Sequence, residues 1–293
     1  MGALDGKVAI VTGAGQGLGR AHALTLAAEG AAVIVNDVDQ ASAQAVVDEI
    51  TAAGGAADVS TDSVSNWDAT KALVDRTVDA FGDLHIVVNN AGIIRDKMSF
   101  SMDEAEWDSV IDVHLKGHFC LSRHAGVWWR EQAKAGVTTP RRIINTTSEA
   151  GMFGSAGQAN YAAAKGGIVT LTWVFARELS RYGVTANVIA PRARTQMTEK
   201  MGFIARPDDG SFDRWDPANV SRIVAWLASD GTATINGQIF VVFGGDVHHI
   251  EPYRVGASIN SDHPWTVDEL LAAQSSLVGE VPVSPPDPGF VRA

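Results

Sequence analysis

Residues 7–19 read KVAIVTGAGQGLG. The first six form a short run rich in β-branched residues, which is typical of a buried strand. The glycines that follow permit a sharp turn, and the apolar spacing from residue 18 to residue 30 is helical. The segment therefore predicts a strand, a tight turn and a helix in succession.

This arrangement is suited to binding the pyrophosphate of a dinucleotide, because glycines let phosphates approach the amides at a helix N-terminus. The candidate cofactor-binding residues of the turn are Gly13, Gln16, Gly17, Leu18 and Gly19. The alternative interpretation of these glycines is a turn that leads into the helix and binds no ligand.

A carboxylate follows the second predicted strand, residues 32–36. Asp37 comes 18 residues after Gly19, a spacing at which an acid accepts hydrogen bonds from the adenosine ribose hydroxyls. Its charge would repel the 2′-phosphate of NADP, and Gln16 and Val38 supply no compensating positive charge. Asp37 therefore favours NAD, with a solvated loop carboxylate as the alternative.

Strands and helices continue to alternate along the chain. Further strands are predicted at residues 56–59, 84–88, 142–146, 184–189 and 238–243, and helices at residues 40–53, 66–81, 102–134, 161–182 and 217–229. This rhythm predicts an α/β fold, a doubly wound, Rossmann-type, seven-stranded parallel sheet flanked by helices, with ligands at the carboxyl ends of the strands. Asp58 and Val59, at the third strand, are placed to meet an adenine edge.

The chain is predicted to contain one catalytic, NAD-binding domain, residues 1–254, and a C-terminal extension, residues 255–293. The extension is predicted to contain one short helix beginning near Thr266 and a proline-rich tail at residues 282–288. Residues 192–215 lack a sustained period, and a long irregular segment beside strand ends is typical of a lid.

The fifth strand leads into Ser148, and Tyr161 and Lys165 follow four residues apart. On a shared helix these two side chains lie about one turn apart on the same face. Because a nearby ammonium favours a phenolate, the sequence predicts a lowered pKa for Tyr161 and a role as acid or base. An ordinary amphipathic helix can carry the same pair, so the functional interpretation of the motif depends on evidence from the rest of the chain.

Composition excludes several functional classes. The chain has 293 residues, 46% of them hydrophobic and 19% charged, with a net charge of -11. A general nucleic-acid binder would need a basic face, and no apolar run is long enough to span a membrane. Cys120, the single cysteine, is expected to pack in the core. We therefore expect a soluble cytoplasmic protein with no metal site, no nucleic-acid partner and no membrane span.

Four motifs, in this order and spacing, resemble those of the short-chain dehydrogenase/reductase family: Thr12-Gly-x-x-x-Gly-x-Gly19, Asn89-Asn-Ala-Gly92, Ser148 and Tyr161-x-x-x-Lys165. Residues 35–37, 89–97, 113–117 and 157–161 further resemble the 3-hydroxyacyl-CoA dehydrogenase domain of multifunctional enzyme type 2, which belongs to the 17β-hydroxysteroid dehydrogenase group. The resemblance extends from residue 7 to about residue 250.

The resemblance implies that Tyr161 exchanges a proton with the substrate and that Ser148 hydrogen-bonds the reacting oxygen. Lys165 would lower the pKa of the phenol and hold the nicotinamide ribose. The resemblance also implies that a further set of residues lines the cofactor, namely Asn90, Ala91, Gly92, Pro191 and Thr195.

The sequence departs from the family pattern in two places. Most members have Asn where this chain has His114. This histidine would either hold a water molecule that relays protons in the catalytic group, or be a core histidine whose hydrogen bonds are satisfied by the protein. The usual Pro-Gly after the sixth strand is Pro191-Arg192 here, and Thr195 comes one position earlier than usual.

We predict oxidation of a secondary alcohol, with a (3R)-3-hydroxyacyl-CoA as first choice and a 17β-hydroxysteroid or sterol side chain as second. A large apolar substrate is suggested by Met197, Met201, Phe203 and Phe212. CoA phosphates could be bound by Arg95, Lys97, Arg192 and Arg194, for which a solvated lid surface is the alternative. The rivals are an NADPH-dependent 3-oxoacyl carrier-protein reductase and an NAD-binding scaffold without activity. The family implies a homodimer or homotetramer joined through helices within residues 107–134 and 160–182.

Overall fold

The computed structural model describes residues 2–194, 206–251 and 253–279. The chain divides into two compact units, Met1–Ile250 and Glu251–Ala293. The sequence places this boundary four residues later, at residue 254. Some predictions concern residues outside the described ranges. These are the cofactor contact of Thr195, the apolar lid residues 197, 201 and 203, and the proline-rich tail.

Within the described residues of the first unit, eight strands form one sheet in the order β3-β2-β1-β4-β5-β6-β7-β8. The strands are β1 (Val8–Thr12), β2 (Ala32–Asn36), β3 (Ala57–Ser60), β4 (Ile86–Asn89), β5 (Arg141–Thr146), β6 (Val184–Arg192), β7 (Ile239–Phe243) and β8 (Asp246–Ile250).

The first seven strands are parallel, and β8 pairs antiparallel with β7. The predicted α/β class and doubly wound sheet are confirmed. The additional strand follows a tight turn in which Gly244 adopts a φ of 58°, a conformation that glycine reaches without strain. Its residues, DVHHI, are largely exposed, so this edge strand lacks the apolar run by which the others were predicted.

Helices cover both faces of the sheet. They are α1 (Gly17–Ala28), α2 (Gln40–Ala52), α3 (Trp67–Phe81), α4 (Glu104–Ile111), α5 (Gly117–Lys134), α6 (Glu149–Phe153), α7 (Ala159–Glu178) and α8 (Pro217–Ala228). The long helix predicted at residues 102–134 is divided by a π-helical turn at Asp112–Lys116. The short α6, directly after Ser148, was not predicted.

Side chains at the helix N-termini explain where several helices begin. Asp39 accepts a hydrogen bond from the Ala41 amide, and Asn66 accepts one from the Ala69 amide. Asp103 and Glu106 form a reciprocal capping box at the start of α4. These bonds satisfy amides that the first helical turn leaves without intrahelical partners.

The alternation of side chains along the strands divides the core between two faces. In β1, Ala9 and Val11 join a cluster with residues of α1, α2 and α8. Ile10, between them, joins a second cluster with residues of α3, α5 and α7. A parallel sheet covered on both faces therefore needs nearly continuous apolar strands, which is the pattern of β1.

The second unit is described separately. It contains helix α9 (Val267–Val278), whose start carries a capping box between Thr266 and Glu269. The helix agrees with the one predicted to begin near Thr266. Across both units, no described helix is long and apolar enough to cross a membrane.

Candidate active site

The glycine turn connects β1 to α1 at the carboxyl edge of the sheet. Gly13 and Gly17 adopt φ angles of 61° and 54°. A Cβ atom on Gly13 would lie 2.8 Å from the Ala91 Cα atom, and one on Gly19 would run into the Gly13 carbonyl oxygen. Glycine is therefore required for the backbone to turn this tightly beside the helix N-terminus, the position where phosphates bind. In the same turn, Gln16 is exposed and Leu18 packs on the core.

The loop after β4 is attached to this turn. The Asn90 side chain donates to the carbonyl oxygens of Thr12 and Gly13 at 3.0 and 3.2 Å. In return, the Thr12 hydroxyl accepts from the amides of Asn90 and Ala91 at 3.0 and 3.1 Å. Asn90 thus fixes the spacing between two loops that would both line a cofactor, a role that depends on its amide group.

Asp37 lies at the end of β2, beside the glycine turn. Its carboxylate accepts hydrogen bonds from the amides of Gly15 and Asp39, at 3.0 and 3.1 Å. A Cβ on Gly15 would lie 3.0 Å from Asp37 Oδ2. The structure therefore holds the carboxylate against the turn, where a ribose next to the pyrophosphate would reach it.

Three other residues predicted to line the cofactor, Asp58, Val59 and Pro191, lie within strands of the sheet. Asp58 and Val59 are half-buried in β3, where the Asp58 carboxylate accepts from the Val59 amide at 2.8 Å. Pro191 is half-buried near the end of β6, paired with Val242 of β7. Pro191 is therefore close to the carboxyl end of its strand, whereas Asp58 pairs with Ile34, in the middle of β2.

Ser148, Tyr161 and Lys165 are brought together by β5, α6 and α7. Ser148 is the N-cap of α6, and its Oγ accepts from the Ala150 amide at 3.2 Å. The Ser148 hydroxyl lies near enough to the Tyr161 phenol to lower its pKa. The Lys165 ammonium lies 5.6 Å from the centre of the Tyr161 ring and donates to the Thr146 carbonyl oxygen at 2.7 Å. The predicted hydroxyl, phenol and ammonium thus form one cluster.

Burial dominates the electrostatics of this cluster. It raises the pKa of Tyr161, an effect that the nearby Ser148 hydroxyl opposes. It also lowers the pKa of Lys165 to about 7. The prediction of a lowered pKa for Tyr161 is therefore wrong for the protein without its cofactor, because desolvation disfavours the charged form of each group.

His114 lies in the π-helical turn, against the phenol. Its ring is buried and meets the Tyr161 ring edge-on, with centroids 5.2 Å apart. Nε2 lies 2.8 Å from the Ile93 carbonyl oxygen and 3.0 Å from the Ile93 amide, while the buried Nδ1 has no hydrogen-bond partner among the described residues. Burial lowers the pKa of His114 to about 3, so the ring is neutral. A Cβ on Gly92 would run into this ring.

Asn160, which the sequence analysis did not single out, fixes the start of the Tyr161 helix. Its fully buried amide donates to the carbonyl oxygens of Arg95 and Glu106, both at 3.0 Å. Its Oδ1 accepts from the Tyr161 amide at 2.7 Å. The side chain therefore joins α7 to α4 and to the loop after β4. The sequence feature that could have identified this residue is an Asn directly before the candidate tyrosine.

A second buried polar chain lies below the site. Asn89 donates to Asn145 at 2.8 Å, and Asn145 donates to Thr172 at 2.9 Å. This series of hydrogen bonds links β4, β5 and α7. Buried polar networks whose hydrogen bonds are satisfied make a core more rigid. The signal in the sequence was Asn145 itself, a polar residue within an otherwise apolar strand.

Three of the four cations expected to bind CoA phosphates pair with carboxylates of the chain. Lys97 lies 2.6 Å from Glu106, and Arg192 lies 2.5 Å from Glu149. Arg194 makes two parallel bonds to Asp213, at 2.8 and 2.9 Å. These partners were not foreseen, because they lie on other elements. Arg95 is exposed, and its guanidinium donates to the Ile94 carbonyl oxygen.

Comparison with known families matches residues 7–202 to the short chain dehydrogenase family. The chain belongs to the short-chain dehydrogenase family. It is therefore an oxidoreductase of the kind that acts on CH–OH groups, and the resemblance found in the sequence motifs is confirmed. Members of this family bind a nicotinamide dinucleotide, and the glycine turn, with no room for side chains, fits such a group.

Individual relatives of this short-chain dehydrogenase carry more specific names. The chain is 49% identical over 278 residues to hydroxyacyl-CoA dehydrogenase ChsB1 of Mycobacterium tuberculosis, covering 92% of this chain and 87% of the relative. A crystal structure of a short chain dehydrogenase from Mycobacterium avium is 47% identical with a TM-score of 0.88, covering 97% and 98% of the two chains.

A third relative confirms the likeness to multifunctional enzyme type 2. The structure of full-length peroxisomal multifunctional enzyme type 2 from Drosophila melanogaster is 33% identical with a TM-score of 0.75. The match covers 93% of this short-chain dehydrogenase and 45% of the Drosophila chain. The chain thus spans less than half of that relative.

Proposed function

We propose that this short-chain dehydrogenase oxidises the 3-hydroxyl of a (3R)-3-hydroxyacyl-CoA to the 3-oxo thioester, with NAD as hydride acceptor. The observation that carries the proposal is the cluster of Ser148, Tyr161 and Lys165 at the sheet edge that also holds the glycine turn. The 49% identity to a protein named hydroxyacyl-CoA dehydrogenase supports the substrate class.

In this proposal the Ser148 hydroxyl hydrogen-bonds the substrate oxygen, and the Tyr161 phenolate takes the proton from the secondary alcohol. The oxidised nicotinamide, when bound, supplies a positive ring and accepts the hydride. Its charge would favour the phenolate, opposing the burial that raises the pKa of Tyr161. Lys165, held by the Thr146 carbonyl oxygen, positions the nicotinamide ribose, and neutral His114 supports the phenol ring and a relay water.

The assignment of NAD follows from Asp37. A carboxylate held by the amides of Gly15 and Asp39 accepts hydrogen bonds from ribose hydroxyls and repels a 2′-phosphate. The remaining candidates line the dinucleotide in the same proposal: Gly13, Gln16, Gly17, Leu18, Gly19, Asp58, Val59, Asn90, Ala91, Gly92, Pro191 and Thr195.

Asp37→Asn tests the cofactor assignment. We expect the wild-type preference for NAD over NADP in kcat/KM to fall by about tenfold, since removing one charge near a phosphate removes a repulsion of about 1 to 4 kcal/mol. Asp39→Asn is the matched control, because Asn also caps a helix and the carboxylate of Asp39 accepts from Ala41 and Ser42 instead. An unchanged preference in Asp37→Asn would contradict the assignment.

A substrate panel tests the activity. NADH absorbance is followed with (3R)- and (3S)-3-hydroxyacyl-CoAs of several chain lengths and with a 17β-hydroxysteroid, each with NAD and with NADP. We expect the highest kcat/KM with a (3R)-3-hydroxyacyl-CoA and NAD. Preference for the steroid would support a 17β-hydroxysteroid dehydrogenase. NADPH-dependent reduction of a 3-oxoacyl carrier protein would support a carrier-protein reductase. Cofactor binding without turnover on any substrate would identify a scaffold.

We also propose a homodimer or homotetramer located in the cytoplasm. The large apolar side chains Phe119 and Val127 of α5 and Val174 of α7 are 39%, 42% and 39% exposed, on the two helices through which the family is expected to associate. Exposed apolar residues on neighbouring elements are typical of association surfaces.

A further inference from the structure

The carboxyl ends of β5 and β6 are joined by an ion pair beyond the last residues at which these two strands pair with each other. Thr146 and Ile189 are the final partners of these strands. Three residues further along each segment, the Arg192 Nε atom lies 2.5 Å from Glu149 Oε2. The side chains are only 24% and 20% exposed, so water screens the pair less than it would on the surface.

The two members of the pair differ in their other contacts. Arg192 is in register with Phe243 of β7, and its guanidinium lies 5.8 Å from the centre of that ring. The other carboxylate oxygen of Glu149, Oε1, is buried and has no hydrogen bond within the described residues. Without Arg192, the Glu149 carboxylate would be desolvated and unpaired, which is strongly unfavourable. The side chain would then turn towards water.

Such a movement would act directly on Ser148. Glu149 is the first residue of α6, a helix of five residues that is too short to be stable by its own hydrogen bonds. Ser148, its N-cap, keeps its Oγ in place through the Ala150 amide of the same turn. The ion pair therefore anchors the turn that orients the Ser148 hydroxyl.

We propose that Arg192 is a positioning residue for the reaction: through its ion pair with Glu149, it holds Ser148 at the distance at which its hydroxyl contacts Tyr161 and the substrate oxygen. This inference rests on the proposed role of Ser148. It also gives Arg192 a different task from the one expected from the sequence, since its guanidinium is engaged by Glu149 rather than by CoA phosphates.

Arg192→Gln and Glu149→Gln test the proposal on the full-length protein with a (3R)-3-hydroxyacyl-CoA and NAD. We expect kcat to fall about ten- to a hundredfold in each variant, because small misplacements of a reacting group have effects of this size. KM for the acyl-CoA and NAD affinity stay unchanged. Arg192→Lys, which keeps the charge, is expected to recover most of kcat. Thermal unfolding verifies that each variant folds.

Arg214→Gln is the matched control. Arg214 lies over the same ring, 4.4 Å from the centre of Phe243, and pairs with Asp246 at 2.5 Å. It shares the aromatic contact of Arg192, but its charge partner, Asp246, belongs to β8 rather than to α6. We therefore expect wild-type kcat in this variant, and a loss as large as that of Arg192→Gln would overturn the proposal.

The decisive comparison combines the substitutions with Ser148→Ala. If Arg192 acts through Ser148, Arg192→Gln has no further effect on kcat in the Ser148→Ala background. Equal losses in both backgrounds, or a raised KM for acyl-CoA with normal kcat, would overturn the positioning role and favour a direct contact with substrate. Wild-type turnover in Ser148→Ala alone would contradict the proposed function itself, and the positioning role with it.

Discussion

Tyr161→Phe is expected to reduce kcat by roughly two to four powers of ten, the contribution of a well-placed acid or base. The substitution removes the hydroxyl that is proposed to exchange the proton and leaves the ring in contact with His114. Because the substitution removes only the hydroxyl and α7 keeps its other contacts, NAD is expected to bind as in the wild type. The measurements are steady-state turnover and NAD titration by fluorescence.

Tyr182→Phe provides the control for this result. It is the same chemical change at a residue that packs against the core on the side of α3, α5 and α7 and stacks with Arg181, 4.8 Å from its ring. We expect wild-type turnover. A Tyr161→Phe enzyme that is as active as this control would show that the phenol does not transfer the proton.

Asp83→Ala is expected to lower the free energy of unfolding by about 3 kcal/mol, the lower end of the range for breaking a buried ion pair. Its carboxylate accepts from Arg141 Nη1 at 2.8 Å and from the Trp128 indole at 3.2 Å. Burial alone would raise the pKa of Asp83, but the hydrogen bond from Arg141 leads the effects that hold it below the usual value.

The size of this effect follows from the partner left behind. The Arg141 side chain is 2% exposed, so its guanidinium would lose its counter-ion with little access to water. Asp83 is 26% exposed, which keeps the loss of unfolding free energy near the lower end of the range for buried ion pairs. Denaturant unfolding measures the change. Since the pair lies at the beginning of β5, opposite the Ser148 end, turnover per folded molecule is expected to stay normal.

Lys71→Ala removes a pair of the opposite kind and serves as the comparison. Lys71 and Asp75 lie one helical turn apart, with side chains 60% and 57% exposed. A surface pair of this type contributes about 0.3 to 0.5 kcal/mol. Equal destabilisation by Asp83→Ala and Lys71→Ala would contradict the view that burial makes the Arg141 pair important.

The sequence predicts the strands that are apolar along their whole length, because burial on both faces of a parallel sheet requires such runs. It fails where geometry depends on other parts of the chain. The polar edge strand Asp246–Ile250 gives no apolar run, and the five residues of α6 are too few to show a helical period. The π-helical turn at Asp112–Lys116 interrupts a periodicity that is otherwise continuous.

The candidate site shows the same division. The spacing of Tyr161 and Lys165 predicts that the two side chains are neighbours, as they are in the structure. Spacing does not reveal burial, so the direction in which the pKa of Tyr161 shifts was predicted incorrectly. The partners of Arg192 and Arg194 are far along the chain, and only the fold brings Glu149 and Asp213 to them.

The central proposal, oxidation of a secondary alcohol by hydride transfer to NAD, is tested most directly with a labelled substrate. A (3R)-3-hydroxyacyl-CoA carrying deuterium at C3 is incubated with the protein and NAD, and the reduced cofactor is analysed by mass spectrometry. We predict one deuterium in each NADH formed by the wild type and almost no NADH with Tyr161→Phe. Absence of labelled NADH with the wild type, under conditions in which it binds both molecules, would contradict the proposed function.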